Sequence, residues 1–356
     1  MPETSAGEEM NRGQNTTTAE WASALKTATG MHRFSRRAFV IGAGSASILA
    51  ADMAFTRAVA EQRRRTQILT VKDSYAEAYF PDAAWILFPG FKTGWEESQV
   101  ILLALRDALN QRGQLAAVGY SNLGLRVEDV VAAVLDFVQS RRLKTLYFYG
   151  HSFGGMLATQ VAAILRRLYN IRVRLILLDS SPASRQDVLD GSWFDDVVFL
   201  YERGVRVPSL LRGGYELGER VANKNERSWK QVFEQSMAEL SPLAPSSLLV
   251  QTESAYIYHF EIADYHGLIS DTKMIYIGSP ADRTVDYFSA RERWRSNYRS
   301  NMVSADQQTR GAAPAHASPQ WSALVYRPLI TELLDKYDPL PSMERNIDPR
   351  DWPTQR

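Results

Sequence analysis

The run Leu146-Tyr147-Phe148-Tyr149-Gly150-His151-Ser152-Phe153-Gly154-Gly155-Met156 sets one serine between glycines, where an apolar, strand-like segment gives way to a helical one. Residues 144–149 carry enough aromatic and β-branched side chains for a buried strand, and Leu157, Val161, Ile164, Leu165 and Leu168 recur at helical spacing directly afterwards. A turn this tight leaves no room for side chains at the glycine positions, and it holds the Ser152 hydroxyl above the strand ends. A serine hydroxyl is a poor nucleophile near neutral pH. Its chemistry therefore demands a base within hydrogen-bond reach and a carboxylate that fixes the base's tautomer.

The chain has five histidines, so the search for a base is short. His151 lies inside the turn, with its side chain expected to point away from Ser152. His32 sits near the N-terminus, and His259 and His266, just before the last clear strand, read as structural, hydrogen-bonded groups. His316 lies in the small-residue loop Gly311-Ala312-Ala313-Pro314-Ala315-His316-Ala317-Ser318, ahead of the final helix. Carboxylates past strand ends are Asp179 and Asp282, the latter in Gly278-Ser279-Pro280-Ala281-Asp282-Arg283-Thr284-Val285, with Asp286 and Asp306 as further candidates. The absence of cysteine excludes disulfides, thiolate metal sites and a cysteine nucleophile together. Forty-one basic against forty acidic residues leave a net charge of +1, so no global field draws the chain to nucleic acid.

The elements that must position these groups alternate along the chain. Strands are expected at 67–71, 84–88, 115–118, 144–149, 173–178 and 273–277, with Tyr79-Phe80 part of another. Helices are expected at 95–110, along the Val127, Val130, Val131, Val134 and Val138 face, after the serine turn, and at 321–337. This rhythm implies a mainly parallel sheet with helices on both faces, and 45% hydrophobic residues suffice for one large core. Residues 187–270 break the rhythm. They read as a mostly helical cap carrying Trp193, Phe194, Phe199, Tyr201, Trp229, Phe233, Tyr256, Tyr258 and Phe260, most of them the cap's own core and the rest available to line an acyl or aromatic pocket. Between Asp282 and His316 the sole strand candidate is the weak run 301–304. Residues 307–313 look extended or mobile, and the tail after 338 looks irregular.

Gly150-His151-Ser152-Phe153-Gly154 resembles the nucleophile elbow of the α/β-hydrolase superfamily, and the resemblance extends from about Thr66 to the C-terminus. It implies an α/β-hydrolase fold, a mainly parallel sheet flanked by helices, with the cap inserted before the penultimate strand. The superfamily order of nucleophile, acid and histidine assigns those roles to Ser152, Asp282 and His316, with Asp179 as the alternative acid. It also implies an oxyanion hole made by the backbone N–H groups of Phe153 and Phe91, although this chain has Pro89-Gly90 where many relatives have His-Gly. The implied activity is that of a serine hydrolase acting on carboxylic esters or thioesters, esterase- or lipase-like, through an acyl-enzyme and with no metal or organic cofactor. Its partner would be a small acyl or ester substrate. A small-peptide serine peptidase and a non-catalytic hydrolase-fold protein binding a lipid or another protein are the competing readings. None of them fixes the oligomeric state.

Residues 1–30 are polar and expected to be disordered. In 31–60, the stretch Arg33-Phe34-Ser35-Arg36-Arg37-Ala38-Phe39-Val40, an apolar run to Ala51 and Ala58-Val59-Ala60 together resemble a twin-arginine export signal. That resemblance implies handling by the twin-arginine translocation machinery, an extracellular or envelope location, and either cleavage after Ala60 or retention as an anchor, with Met31 as an alternative start. Residues 61–356 are then the hydrolase domain.

Overall fold

The computed structural model describes residues 61–189, 245–265 and 267–340. The expected N-terminal extension, the export segment, His32, His266, the tail beyond 340 and the central part of the cap with Trp193, Phe194, Phe199, Tyr201, Trp229 and Phe233 lie outside the described residues.

Seven strands form one sheet: β1 (Gln67–Val71), β2 (Ala83–Phe88), β3 (Gln114–Gly119), β4 (Thr145–His151), β5 (Val173–Asp179), β6 (Lys273–Gly278) and β7 (Met302–Gln308). Their spatial order is β1-β3-β2-β4-β5-β6-β7, and every neighbouring pair is parallel except β1 with β3. Connecting them are the helices α1 (Ser74–Tyr79), α2 (Trp95–Leu109), α3 (Val127–Arg141), α4 (Gly154–Tyr169), α5 (Ser247–His259), α6 (Tyr287–Asn297) and α7 (Ala323–Tyr337).

Because side chains alternate across a strand, the continuous apolar runs feed two separate cores. Ala84, Ile86 and Phe88 of β2, Leu146 and Phe148 of β4, and Ile176 and Leu178 of β5 pack with α3, α4 and α6. Trp85 and Leu87, Tyr147 and Tyr149, and Leu175 and Leu177 face the opposite way, onto Ile101, Leu102 and Leu105 of α2 and Ile330, Leu333 and Leu334 of α7. Both faces of β4 are therefore closed, which anchors its end against movement.

One expectation is corrected, one is extended, and one helix is new. Tyr79-Phe80 is no strand: Asp73 accepts the Ala76 amide at 2.9 Å and caps α1, which ends at Tyr79. The weak run at 301–304 is the start of a full strand, β7, which continues through residues expected to be extended or mobile. Helix α6 was not anticipated; Asp286 caps it by accepting the amides of Phe288 and Ser289.

The long connection expected before the penultimate strand leaves at β5 and returns at β6. Its described return leg, α5, is tied to loops at the strand ends. Thr252 Oγ1 accepts the Leu125 amide at 2.7 Å, Ser246 Oγ donates to the Asn122 carbonyl at 2.5 Å, and Tyr256 donates to Gln160 of α4 at 2.7 Å.

Candidate active site

Ser152 follows β4 with φ of +54°, a left-handed conformation that non-glycine residues adopt only when their surroundings hold them there. The neighbouring glycines supply those surroundings. A Cβ on Gly154 would lie 2.0 Å from the Phe88 carbonyl oxygen, and one on Gly150 would lie 2.3 Å from Gly155 Cα. The Ser152 amide also donates to the Asp179 carbonyl at 2.9 Å, pinning the turn to β5. Sterics and one backbone bond thus aim the hydroxyl.

His316 Nε2 stands 2.9 Å from Ser152 Oγ, and His316 Nδ1 stands 2.7 Å from Asp282 Oδ2. A carboxylate only accepts, so Nδ1 carries the proton and Nε2 presents its lone pair to the serine. Asp282 Oδ1 is occupied separately, accepting the amides of Thr284 at 2.8 Å and Val285 at 3.0 Å. Its other oxygen is thereby aimed at the imidazole. The Asp282 side chain is 2% exposed and that of His316 21%, so the carboxylate is shut away while the imidazole keeps a face open.

The loop bearing His316 is fastened on both sides. Its Ala313 amide donates to Ser322 Oγ at 3.0 Å, and its Ser318 amide donates to the Tyr326 hydroxyl at 3.0 Å. Ala317, at φ +24°, gives its amide to Ser180 Oγ at 3.4 Å, and its carbonyl accepts from His151 Nε2 at 2.7 Å. As expected, His151 is turned toward this loop and not toward Ser152. Burial, reinforced by the nearby His316 charge, lowers its pKa to about 4 against the pull of the Ala317 carbonyl.

The other candidates lie elsewhere. Asp179 does not meet His316. Its carboxyl accepts from the Tyr149 hydroxyl at 2.8 Å and the Tyr326 hydroxyl at 3.3 Å, and full burial raises its pKa to about 7 despite both bonds and the His316 charge. Asp286 is a helix cap, Asp306 pairs with Arg291 at 3.3 Å, and His259 stacks edge-on against Tyr258 at the end of α5.

The Phe153 amide makes no hydrogen bond among the described residues, and it directly follows Ser152. The turn bearing Phe91 touches the start of α4, as the Gly154 approach to Phe88 and Pro89 shows. That turn is held by Tyr120, which donates to the Pro89 carbonyl at 3.1 Å, and by buried Glu253 of α5, which accepts the Lys92 amide at 3.1 Å. Lys92 itself has φ +62°. Sequence reasoning missed Glu253, Ser180 and Tyr326; no local pattern signals contacts made across 161 or 137 residues. Behind the turn, Phe153 packs against Tyr120 and Tyr256, and Tyr256 against Phe260, so these described cap aromatics close the core beneath the site.

A parallel sheet crossed by helices on both faces, with a serine on a glycine-framed turn after the central strand, defines the α/β-hydrolase fold. The chain belongs to the alpha/beta hydrolase family, whose sequence profile matches residues 86–316. Among solved structures it is similar to a lipase-esterase related protein from Clostridium acetobutylicum, at 13% identity and a TM-score of 0.51 over 76% of this chain and 98% of that one. An esterase from Exiguobacterium antarcticum gives 14% identity and a TM-score of 0.51 over 76% and 94%. An enol-lactonase from Burkholderia xenovorans gives 12% identity and a TM-score of 0.54 over 76% and 96%. At these identities the likeness is one of fold. A comparison with curated proteins returned no match.

Proposed function

We propose that the chain is an exported serine hydrolase that cleaves carboxylic esters or thioesters. The observation that carries this reading is the unbroken hydrogen-bonded line from Asp282 through His316 to Ser152 Oγ. In the reaction, His316 Nε2 takes the hydroxyl proton as Ser152 Oγ bonds to the ester carbonyl carbon, and Asp282 stabilises the imidazolium that results. The tetrahedral oxyanion accepts hydrogen bonds from the Phe153 and Phe91 amides. His316 then returns its proton to the leaving alcohol or thiol as that bond breaks, leaving an acyl group on Ser152. Water, deprotonated by the same imidazole, releases the acid. No metal or organic cofactor enters these steps.

The substrate is a small acyl compound, a choice supported by the esterases among the structural relatives. Labelling with a fluorophosphonate probe tests the nucleophile: wild type reacts and Ser152→Ala does not. Equal labelling of both would remove the enzyme and leave a non-catalytic binding protein. p-Nitrophenyl esters of graded chain length, run beside thioester and peptide substrates, separate esterase from peptidase. Export is proposed from the residue 31–60 segment, and replacing Arg36 and Arg37 by Lys should strand the protein in the cytoplasm; continued secretion would eliminate that part.

A further inference from the structure

We propose that His151 is a positioning residue for this reaction, its Nε2–H holding the Ala317 carbonyl and thereby fixing His316 in line with Ser152. The inference rests on the serine-hydrolase reading and assigns a task to a residue of the elbow that takes no part in the chemistry itself.

The imidazole spans three loops. It leaves the chain one residue before the nucleophile, and its Nε2 reaches Ala317 O at 2.7 Å, one residue after the base. Its Nδ1 lies against the turn that bears Phe91, where a Cβ on Gly90 would come within 2.5 Å of that nitrogen and 3.1 Å of Cε1. Glycine at 90 is thus the seat of the His151 ring. A carbonyl can only accept, so Nε2 must carry the proton; Nδ1 is then a bare acceptor, and it is buried with no hydrogen-bond partner among the described residues.

An apolar ring of similar size would fill the same space. It would leave the Ala317 carbonyl buried without a donor, at a residue only 4% exposed and already in a crowded backbone conformation. Ala317 is clamped from two strands at once, its carbonyl from the end of β4 and its amide from Ser180 beyond β5. Releasing the carbonyl loosens the Ala317–Ser318 peptide, one residue beyond His316, and leaves Ser180 as the remaining hold on Ala317; the 2.9 Å approach of His316 to Ser152 Oγ is the distance that suffers. Small displacements of a proton-transfer pair cost up to about 100-fold in rate. Because burial keeps His151 neutral down to about pH 4, it supplies this donor without placing a second cation beside the imidazolium of His316.

The test compares His151→Phe, which keeps bulk and loses the donor, with His151→Gln, which restores an N–H near the Nε2 position. On a p-nitrophenyl ester, His151→Phe should lower kcat by about 10- to 100-fold with KM within about threefold, and slow fluorophosphonate labelling in parallel. His151→Gln should recover most of that loss at an equal melting temperature. A folded His151→Phe with wild-type kcat overturns the proposal, as does a His151→Gln no better than His151→Phe. Should His151→Phe fail to fold, Gly90→Ala reaches the same contact from the other side: its methyl must displace the ring, and an unchanged kcat there also overturns the proposal. Absence of Ser152 labelling in wild type would defeat the hydrolase reading along with this one, whereas equally fast labelling of wild type and His151→Phe defeats this one alone.

Discussion

Buried Asp338, where the strands begin, and buried Asp282 and Asp179, where they finish, meet opposite kinds of partner. Where the strands begin, Asp338 is met by Arg174 of β5 at 2.7 Å, Lys273 of β6 at 3.8 Å and the Tyr147 hydroxyl of β4 at 2.9 Å, while Arg112 donates to its backbone carbonyl at 3.3 Å. Where the strands finish, Asp282 and Asp179 are met by amides, an imidazole and tyrosine hydroxyls, without an arginine or lysine in hydrogen-bond contact among the described residues. Fixed cations at Asp338 lock the chain's return onto the sheet. Neutral donors hold Asp282 in place while leaving one of its oxygens to the His316 imidazole. Asp338 and the Asp282–His316 pair thus differ in the charge of the partners around their carboxylates, while Asp187, near Asp282, meets Arg293 at 3.3 Å and belongs with the fastening kind.

The sharpest way to break this comparison is to remove one carboxylate from each end. Asp282→Asn should lower kcat by about 10³- to 10⁴-fold, because the imidazole loses the partner that fixes its tautomer, with little change in melting temperature. Asp338→Ala should do the reverse. It should cost about 1–3 kcal/mol in urea unfolding, less than a fully enclosed pair because Arg174 and Lys273 are nearly half exposed and regain water, while kcat of the folded protein stays within about twofold. Equal kinetic losses from both substitutions would erase the distinction.

Proton linkage sharpens it further. His151 is lowered from 6.5 to about 4, so its contribution to stability is present above about pH 6.5 and disappears as pH falls through about 4. Asp179 is raised from 3.8 to about 7, so its contribution is present below pH 3.8 and disappears as pH rises through about 7. In wild type the two slopes oppose each other. Asp179→Asn should leave stability rising from pH 4 to 6.5, and His151→Gln should leave it falling from pH 4 to 7, each measured by unfolding at a series of pH values. The smallest effect is expected at Asp286, where alanine removes the α6 cap for about 1 kcal/mol and leaves the substrate pH profile unchanged.

The parts of the fold that were legible in the sequence are those buried on both sides. The runs at β2, β4, β5 and β6 admit no alternative to central strands, and the steric demand at Ser152 shows in Gly150 and Gly154 themselves. What escaped was decided by partners distant in sequence or by solvent. β7, Met-Val-Ser-Ala-Asp-Gln-Gln, is an edge strand with one buried residue and so no alternation to read. In α6, Arg291, Glu292, Arg293 and Arg295 obscure the buried Tyr287, Ala290 and Trp294, whose spacing was the available signal. Tyr79-Phe80 looked like strand because two aromatics outweighed a cap at Asp73. The pairing of Asp282 with His316 came from the superfamily order and not from local pattern, and the grip of His151 on Ala317 spans 166 residues that no spacing rule connects.

The last strand has a further effect on how copies of this protein meet. β7 pairs with β6 through two interruptions of register, its Asp306 stands at the open border, and Arg291 leans across to it. A kinked, charged margin is a poor template for another polypeptide to extend the sheet, so crowded solutions should not seed fibrils from this side.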